Sequence, residues 1–163
     1  MKYEYFLDIK KQKSQYLYSY YNVPFVWFLR RFVGPILVLL ALIEFSIIDN
    51  PSSLTVIPVL FGFIGIYYIV RPYVFLRNAF FQDTHGSFSI GSDEFVIASE
   101  KGELRLSYNE ILKIIPKKRY VFIKVRLHVV QYFLVDLDTI QGDGDEFLKE
   151  LIVFANKKQS PHA

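Results

Sequence analysis

The sequence predicts a membrane α+β protein, in which a transmembrane helical hairpin is joined to a small cytoplasmic antiparallel β-barrel or sandwich capped by a C-terminal helix. Three observations lead to this fold class. Residues 32–70 contain only two charged side chains, Glu44 and Asp49, although 21% of the whole chain is charged. From Asn78 onward, short apolar runs alternate with period two, which is typical of half-buried strands. The last apolar run has the period of an amphipathic helix.

These patterns divide the chain into three predicted regions. Residues 1–31 are expected to be an N-terminal cytoplasmic strand and an interfacial helix. Residues 32–73 are expected to form the transmembrane hairpin, and residues 78–158 the cytoplasmic β domain with its C-terminal helix.

The composition narrows the possible functions. Hydrophobic residues make up 52% and aromatic residues 18% of the 163 residues, both high for a soluble domain. The chain has no cysteine, so disulfides and thiolate metal sites are excluded. The net charge of +3 is not arranged as a basic stripe interleaved with aromatics, so nucleic acid is not an expected partner.

The N-terminal stretch contains two further patterns. "YEYFLDI" alternates, with Tyr3, Tyr5, Leu7 and Ile9 on one face, and we predict that it adds an edge strand to the C-terminal sheet. Tyr16 and Tyr20 then stand four residues apart, which predicts a helix lying at the headgroup level before the chain turns into the membrane.

Two apolar segments, 32–48 and 54–70, form the predicted hairpin. Each has 17 residues, about 26 Å as a helix against a hydrocarbon core of about 30 Å. Neither has a regular polar face, although a hairpin buried in a soluble core remains an alternative. Positive charges flank both segments, whereas the loop 49–53 has none. Because Lys and Arg near spans stay inside, we expect a two-pass protein of the bacterial inner (cytoplasmic) membrane with both termini cytoplasmic.

The C-terminal part is predicted to contain six strands and a helix. The strands are expected at 87–91, 94–99, 103–107, 111–115, 120–126 and 129–137. "SYNE" at residues 107–110 has capping-box spacing and predicts one helical turn between two of the strands. Asp143 and Glu146 have the same spacing and predict the start of the helix, whose apolar face includes Phe147 and Leu151.

This arrangement resembles the YcxB-like family of bacterial membrane proteins. The resemblance lies in a short polar N-terminal segment, two closely spaced apolar segments and then "GSFSIGSDEFVIASEKGELRLSYNEILKIIPKKRYVFIKV", above all "GELRLSYNEILKI". The chain departs from the family where it has "VDLDTIQGDGDE" before the final helix. The resemblance implies a pleckstrin-homology-like domain after a transmembrane hairpin. It implies no catalytic residue, because the family's function is not established.

One basic cluster stands out in the predicted β domain. It is centred on "PKKRY" and consists of Lys117, Lys118 and Arg119 with Lys113 and Lys124. Beneath an anionic leaflet each such charge contributes about 1 kcal/mol of attraction, so binding of anionic lipid headgroups or of a protein partner is one hypothesis. The alternative is a solvated β-turn whose charges protect a sheet edge from aggregation.

Glu44 is the polar residue of the first apolar segment. We expect it to lie opposite Pro58 and near the outer loop, where a protonated carboxyl could donate to the Leu54 carbonyl that Pro58 leaves without an amide partner, or to Thr55. Gly62 and Gly65 are expected to let the two helices approach closely just below. A structural or snorkelling role, docking of a partner and ion handling remain open for Glu44.

No motif points to catalysis. The three histidines, His85, His128 and His162, lack metal-ligand spacing, and residues 136–146 fail the pattern of a calcium loop. No catalytic residue, metal or cofactor is therefore expected, although convergent carboxylates from distant positions are not excluded. We predict a non-enzymatic adaptor, regulator or immunity-type protein that acts on a protein partner, a second copy of itself or lipid at the bilayer surface. The alternative is an accessory subunit of a transport or ion-handling assembly that uses Glu44.

Overall fold

A computed structural model describes residues 1–24, 26–47, 56–100 and 102–157. The chain divides into two compact units, and the division does not follow the three predicted regions. The β unit combines Met1–Gln15 with Phe81–Ala163, and the helical unit is Tyr16–Phe80. The β unit is therefore assembled from both ends of the chain.

Four helices and eight strands make up the described residues. The helices are α1 (Ile9–Asn22), α2 (Trp27–Ile47), α3 (Val56–Asn78) and α4 (Gly144–Asn156). The strands are β1 (Lys2–Leu7), β2 (Thr84–Ile90), β3 (Glu94–Ser99), β4 (Gly102–Ser107), β5 (Ile111–Lys117), β6 (Tyr120–Arg126), β7 (Val130–Asp136) and β8 (Ile140–Gln141). Each predicted strand of the C-terminal part is confirmed, with small shifts at the ends. At the predicted helical turn, residues 108–110 form a hydrogen-bonded turn and not a helix. The capping-box contact is present, since the Glu110 carboxylate accepts a hydrogen bond from the Ser107 amide at 2.7 Å.

The strands form two antiparallel sheets, in the orders β4-β3-β2-β1-β8 and β5-β6-β7. They do not close into a barrel, so the barrel among the two predicted arrangements is wrong. Within the described residues no pairing joins β4 to β5, and the two-residue β8 pairs with β1 and not with β7. The turn at residues 107–110 connects β4, an edge strand of the first sheet, to β5, an edge strand of the second.

β1 pairs with the C-terminal sheet as predicted, but its position at the edge was wrong. It lies between β2 and β8, with Tyr3 opposite Phe88 and Tyr5 opposite Gly86. A Cβ atom at Gly86 would collide with the Tyr5 ring and with the Ala98 carbonyl. Glycine at this position therefore lets the tyrosine lie flat against β2, because only a residue without a side chain leaves the space.

The hydrophobic core of the β unit is shared by both sheets and α4. Phe95 and Leu106 from one sheet, Val121 and Ile123 from the other and Phe147 from α4 have no exposed surface. The predicted helix cap is also confirmed, since the Asp143 carboxylate accepts hydrogen bonds from the amides of residues 145 and 146. The fold shown is thus α+β, with two antiparallel sheets and a C-terminal helix packed against them.

In the helical unit, α2 and α3 approach most closely at two glycines. A Cβ atom on Gly65 would come within 2.8 Å of the Gly34 carbonyl oxygen, and one on Gly34 within 3.0 Å of the Gly65 oxygen. At Gly62 an added Cβ would lie 3.8 Å from the Ala41 Cβ, which is an ordinary contact. The predicted close approach is confirmed at Gly65, because small residues bring helix backbones together.

Most of the apolar side chains on α2 and α3 are exposed. Among the described residues, α3 is the one helix long and apolar enough by itself to cross a membrane, by length and composition. α1 and α2 together add a second such span if the bent pair is counted as one. α2 alone contains three charged residues, Arg30, Arg31 and Glu44.

Candidate functional site

The predicted basic cluster lies on the three-stranded sheet of the β unit. Val121, Ile123 and Val125 of β6 point into the core, so the alternate residues of this strand lie on the opposite face. The strand register then places Lys113 beside Lys124 and Lys117 beside Tyr120 on that face, where Phe122 and Tyr120 are themselves buried. Three of the five predicted residues therefore share one surface, which we call the lysine face (Lys113, Lys117 and Lys124).

Arg119 is not part of the lysine face, because its guanidinium group contacts two carboxylates. Its Nη1 donates to the Asp138 carboxylate at 3.1 Å, and its Nε lies 3.7 Å from the carboxylate of Asp136. Its Nη2 also donates to the Tyr120 hydroxyl at 2.6 Å. The positive charge of Arg119 is thus offset by the carboxylates of Asp136 and Asp138.

Asp136 is the buried member of this group, with 4% of its surface exposed. Burial raises the pKa of its carboxyl above the ordinary value, and the Arg119 guanidinium opposes that shift. The Asp136 carboxylate also accepts a hydrogen bond from the Asp138 amide, and its own carbonyl oxygen accepts one from the Thr139 hydroxyl at 2.6 Å. Truncating Arg119 would leave a buried charge without its cation, so Arg119 has a structural role.

Lys118 occupies the turn between β5 and β6. Its φ angle is +55°, the one positive value at a non-glycine residue in the described part of the chain. A left-handed conformation of this kind costs a residue with a Cβ atom about 1–3 kcal/mol. The side chain is exposed, which is consistent both with a solvated turn and with a binding surface.

Lys113 and Lys124 are direct cross-strand neighbours. Like charges in this arrangement destabilise a sheet. The Lys124 Nζ lies 5.9 Å from the centre of the Tyr132 ring, and the Lys117 Nζ lies 5.8 Å from that of Phe122. The lysine face therefore places two like charges side by side, with aromatic rings next to Lys124 and Lys117.

Glu44 lies on α2 with a partly exposed side chain. In the ranges that the structure describes it makes no hydrogen bond or ion pair. Pro58, the residue expected opposite, is buried on α3. The expected partners Leu54 and Thr55 lie outside the described residues, as does the loop 49–53.

The candidates for metal chemistry are dispersed. No three His, Asp or Glu side chains converge as possible metal ligands anywhere in the described ranges. His85 stacks on Phe6 at 4.6 Å between ring centres, His128 is exposed, and His162 lies outside the described residues. The acidic stretch 136–146 contains a 3-10 turn, the short β8 and the cap of α4.

One cavity was not foreseen from the sequence. It lies within the helical unit, has a volume of about 820 Å³ and is bordered by residues of α1, α2 and α3. Two arginines, Arg30 and Arg71, line it together with aromatic and aliphatic side chains. The signal in the sequence was the spacing of Phe63, Tyr67, Val70 and Val74, which places them on one face of α3.

Arg30 and its neighbour Arg31 also complete the end of α1. Arg30 donates to the Tyr20 carbonyl at 3.0 Å, and Arg31 donates to the Tyr21 carbonyl at 3.2 Å and to the Asn22 side chain at 2.8 Å. The last carbonyl groups of a helix have no partner within it and carry its negative dipole end. The two guanidinium groups therefore fix where α1 ends and α2 begins.

Comparison of the chain with family models, with curated proteins and with solved structures finds no significant match.

Proposed function

We propose that the chain is a two-pass protein of the bacterial cytoplasmic membrane, with both termini in the cytoplasm, whose β unit binds an anionic partner without catalysing a reaction. One observation supports the two-pass topology. β1 pairs with β2, so the polypeptide leaves the β unit before residue 16 and returns to it at residue 81. A segment whose two ends belong to one folded unit crosses a membrane an even number of times or not at all.

The surface of the helical unit supports crossing. Large apolar side chains such as Leu42, Phe63 and Ile66 are more than half exposed, and they recur around both α2 and α3. Exposed apolar surface of this extent is unfavourable in water and stable in hydrocarbon. Lys and Arg residues flank the two apolar segments, whereas residues 49–53 contain none. Because such charges stay on the cytoplasmic side, this distribution favours a cytoplasmic β unit.

The β unit supports a binding role. Its two sheets and C-terminal helix agree with the pleckstrin-homology-like domain that the resemblance to YcxB-like proteins implies, and the lysine face supplies a surface for an anionic group. That group is a lipid headgroup of the inner leaflet or an acidic surface of a protein. The alternative of an ion-handling subunit depends on Glu44, which has no second ionisable group beside it in the described residues.

The topology can be tested by cysteine labelling, since the chain contains no cysteine of its own. We expect Ser52→Cys to react with a membrane-impermeant maleimide in right-side-out spheroplasts. Ser92→Cys, on the exposed β2–β3 turn, should react only after the membrane is opened. Labelling of both positions from the outside, or of neither without lysis, would contradict the two-pass proposal.

Binding by the lysine face can be tested in the β unit with residues 1–15 joined by a linker to residues 81–157. The variant Lys113→Gln/Lys124→Gln should bind vesicles of phosphatidylglycerol about thirtyfold more weakly, since each charge contributes about 1 kcal/mol. The control, Lys10→Gln/Lys149→Gln, removes the same charge from other exposed positions. Equal losses in the two variants would show that only net charge matters. No loss in either would leave an acidic protein as the partner to be sought by crosslinking from position 113.

The role of Glu44 separates the main proposal from its alternative. Glu44→Gln should leave partner binding unchanged if the β unit carries the function. A proton or cation flux in proteoliposomes that disappears in Glu44→Gln would favour the ion-handling assembly instead.

A further inference from the structure

The cavity of the helical unit has a polar end and an apolar end. Its lining residues all belong to one compact unit and comprise Tyr16, Ser19, Tyr20, Arg30, Phe63, Ile66, Tyr67, Val70, Arg71, Val74, Phe75 and Asn78. The polar groups come from the second half of α1, the start of α2 and the last two turns of α3. The volume of about 820 Å³ falls in the range of sites that hold organic ligands.

Neither arginine of the cavity has an anionic partner among the described residues. No ion pair joins Arg30 or Arg71 to a carboxylate in the described part of the chain. The helical unit contains two acidic residues, of which Asp49 lies outside the described residues. The other, Glu44, is 14 positions along α2 from Arg30, about 21 Å at the rise of an α-helix.

Aromatic rings hold both guanidinium groups. The Arg30 guanidinium lies 4.6 Å from the centre of the Tyr20 ring, and that of Arg71 lies 5.9 Å from the centre of the Tyr67 ring. Arg30 uses one donor on the Tyr20 carbonyl, whereas a guanidinium group has five. Tyr16 and Phe75 stack at 4.6 Å and join α1 to α3 beside this end of the cavity. The two guanidinium groups are thus held in place before any ligand binds, and they retain N–H donors for an anion.

The remaining wall of the cavity is a stripe along α3. Phe63, Ile66 and Val70 precede Arg71 on one side of the helix, and Phe63 is eight residues, about 12 Å, away from it. Phe63 is 71% exposed, so the apolar end of the cavity opens onto the outer surface of the helical unit. A ligand that matches this wall has an apolar chain running away from its charged group.

We propose that this cavity binds one anionic phospholipid, with its phosphate between Arg30 and Arg71 and an acyl chain along Phe63, Ile66 and Val70. This inference rests on the proposed membrane location, where such a lipid is present at high local concentration. Guanidinium groups bind phosphate oxygens through paired, charge-assisted hydrogen bonds, and the low dielectric of the surroundings strengthens them. The lipid phosphate supplies a counterion that the described residues do not provide for Arg30 and Arg71.

The test is native mass spectrometry of the full-length protein in mild detergent. The purified protein is titrated with phosphatidylglycerol or with phosphatidylcholine of identical acyl chains. We expect the first molecule of phosphatidylglycerol to bind about tenfold more tightly than the first molecule of phosphatidylcholine, a difference of about 1.4 kcal/mol in binding free energy. Arg71→Gln should abolish this preference. Arg77→Gln should retain it, because Arg77 is on the same helix but does not line the cavity.

A variant that fills the cavity without removing charge tests whether the lipid occupies the cavity. Val74→Phe should weaken binding of phosphatidylglycerol, since Val74 lines the cavity. An equal loss of the phosphatidylglycerol preference in Arg71→Gln and Arg77→Gln would overturn the proposal, and so would undiminished binding in Val74→Phe. Either result would indicate that the arginines contact headgroups at the membrane surface without a lipid in the cavity. A protein that does not float with phosphatidylcholine vesicles refutes the membrane location itself, a result separate from loss of lipid selectivity.

Discussion

The assembly of the β unit from both ends of the chain can be tested by removing β1. Two proteins are compared. One protein consists of residues 1–15 joined by a flexible linker to residues 81–157, and the other of residues 81–157 alone. A short linker suffices, because the Ile9 amide donates to the Asp83 carboxylate at 3.0 Å and the Gln12 side chain donates to the Gln82 carbonyl at 2.5 Å.

The magnitude follows from two tyrosines. Tyr3 and Tyr5 are each 7% exposed, and their rings contact Phe147 at 5.3 Å and Phe88 at 4.6 Å between centres. A buried aromatic side chain removes about 150–250 Å² from water. At about 25 cal/mol per Å² this is about 4–6 kcal/mol for each, as an upper bound. The two together are comparable to the whole stability of a small domain, about 5–15 kcal/mol.

The assay is urea unfolding followed by far-UV circular dichroism, with near-UV dichroism as a measure of aromatic packing. The linked protein should unfold in one cooperative transition, and residues 81–157 alone should show none. Within the linked protein, Tyr5→Ala should cost about 3–5 kcal/mol. The neighbouring Glu4→Ala should cost little, because Glu4 is exposed. A cooperative transition of residues 81–157 at the same midpoint would refute the central role of β1.

Three further outcomes follow from single positions. Lys118→Gly should raise the thermal midpoint of the linked β unit by relieving the left-handed strain at φ +55°, whereas Lys117→Gly, within β5, should lower it. Gly65→Ala should reduce the thermal stability of the full chain in detergent by pressing against the α2 backbone, whereas Gly62→Ala should be tolerated at 3.8 Å. Burial and a nearby carboxylate raise the pKa of Tyr3 to about 12, so its contribution to stability is present below pH 10 and lost as the pH rises toward 12. Tyr3→Phe should therefore flatten the loss of stability between pH 10 and 12 in alkaline unfolding curves.

Local patterns in the sequence were sufficient for the elements of the β unit. The strands Glu94–Ser99 and Tyr120–Arg126 were predicted to the residue, because alternation of apolar and polar side chains sets both their length and their facing. The cap of α4 was predicted for a similar reason, since a carboxylate at Asp143 meets amides only two and three residues away.

The candidate site was predictable only in part. Period two places Lys113 and Lys117 on one face of β5, but the strand register is needed to bring Lys124 beside them. Arg119 was grouped with the lysines because it is next to them in sequence. Its partners Asp136 and Asp138 come from the far end of β7 and the turn after it, where β6 and β7 are paired. Proximity across strands depends on pairing and not on sequence distance.

The sequence by itself determined the two apolar segments, the six predicted strands of the C-terminal part, the cap of α4 and the distribution of charge. Each of these depends on interactions within a few residues. Tertiary structure alone decided that β1 lies inside the sheet, that Arg119 neutralises a buried aspartate and that Arg30 and Arg71 line one cavity. Each of these joins residues between 17 and more than 80 positions apart. The physical reason is that burial and ion pairing depend on which surfaces meet, and no local pattern specifies the surface that a strand or a helix will meet.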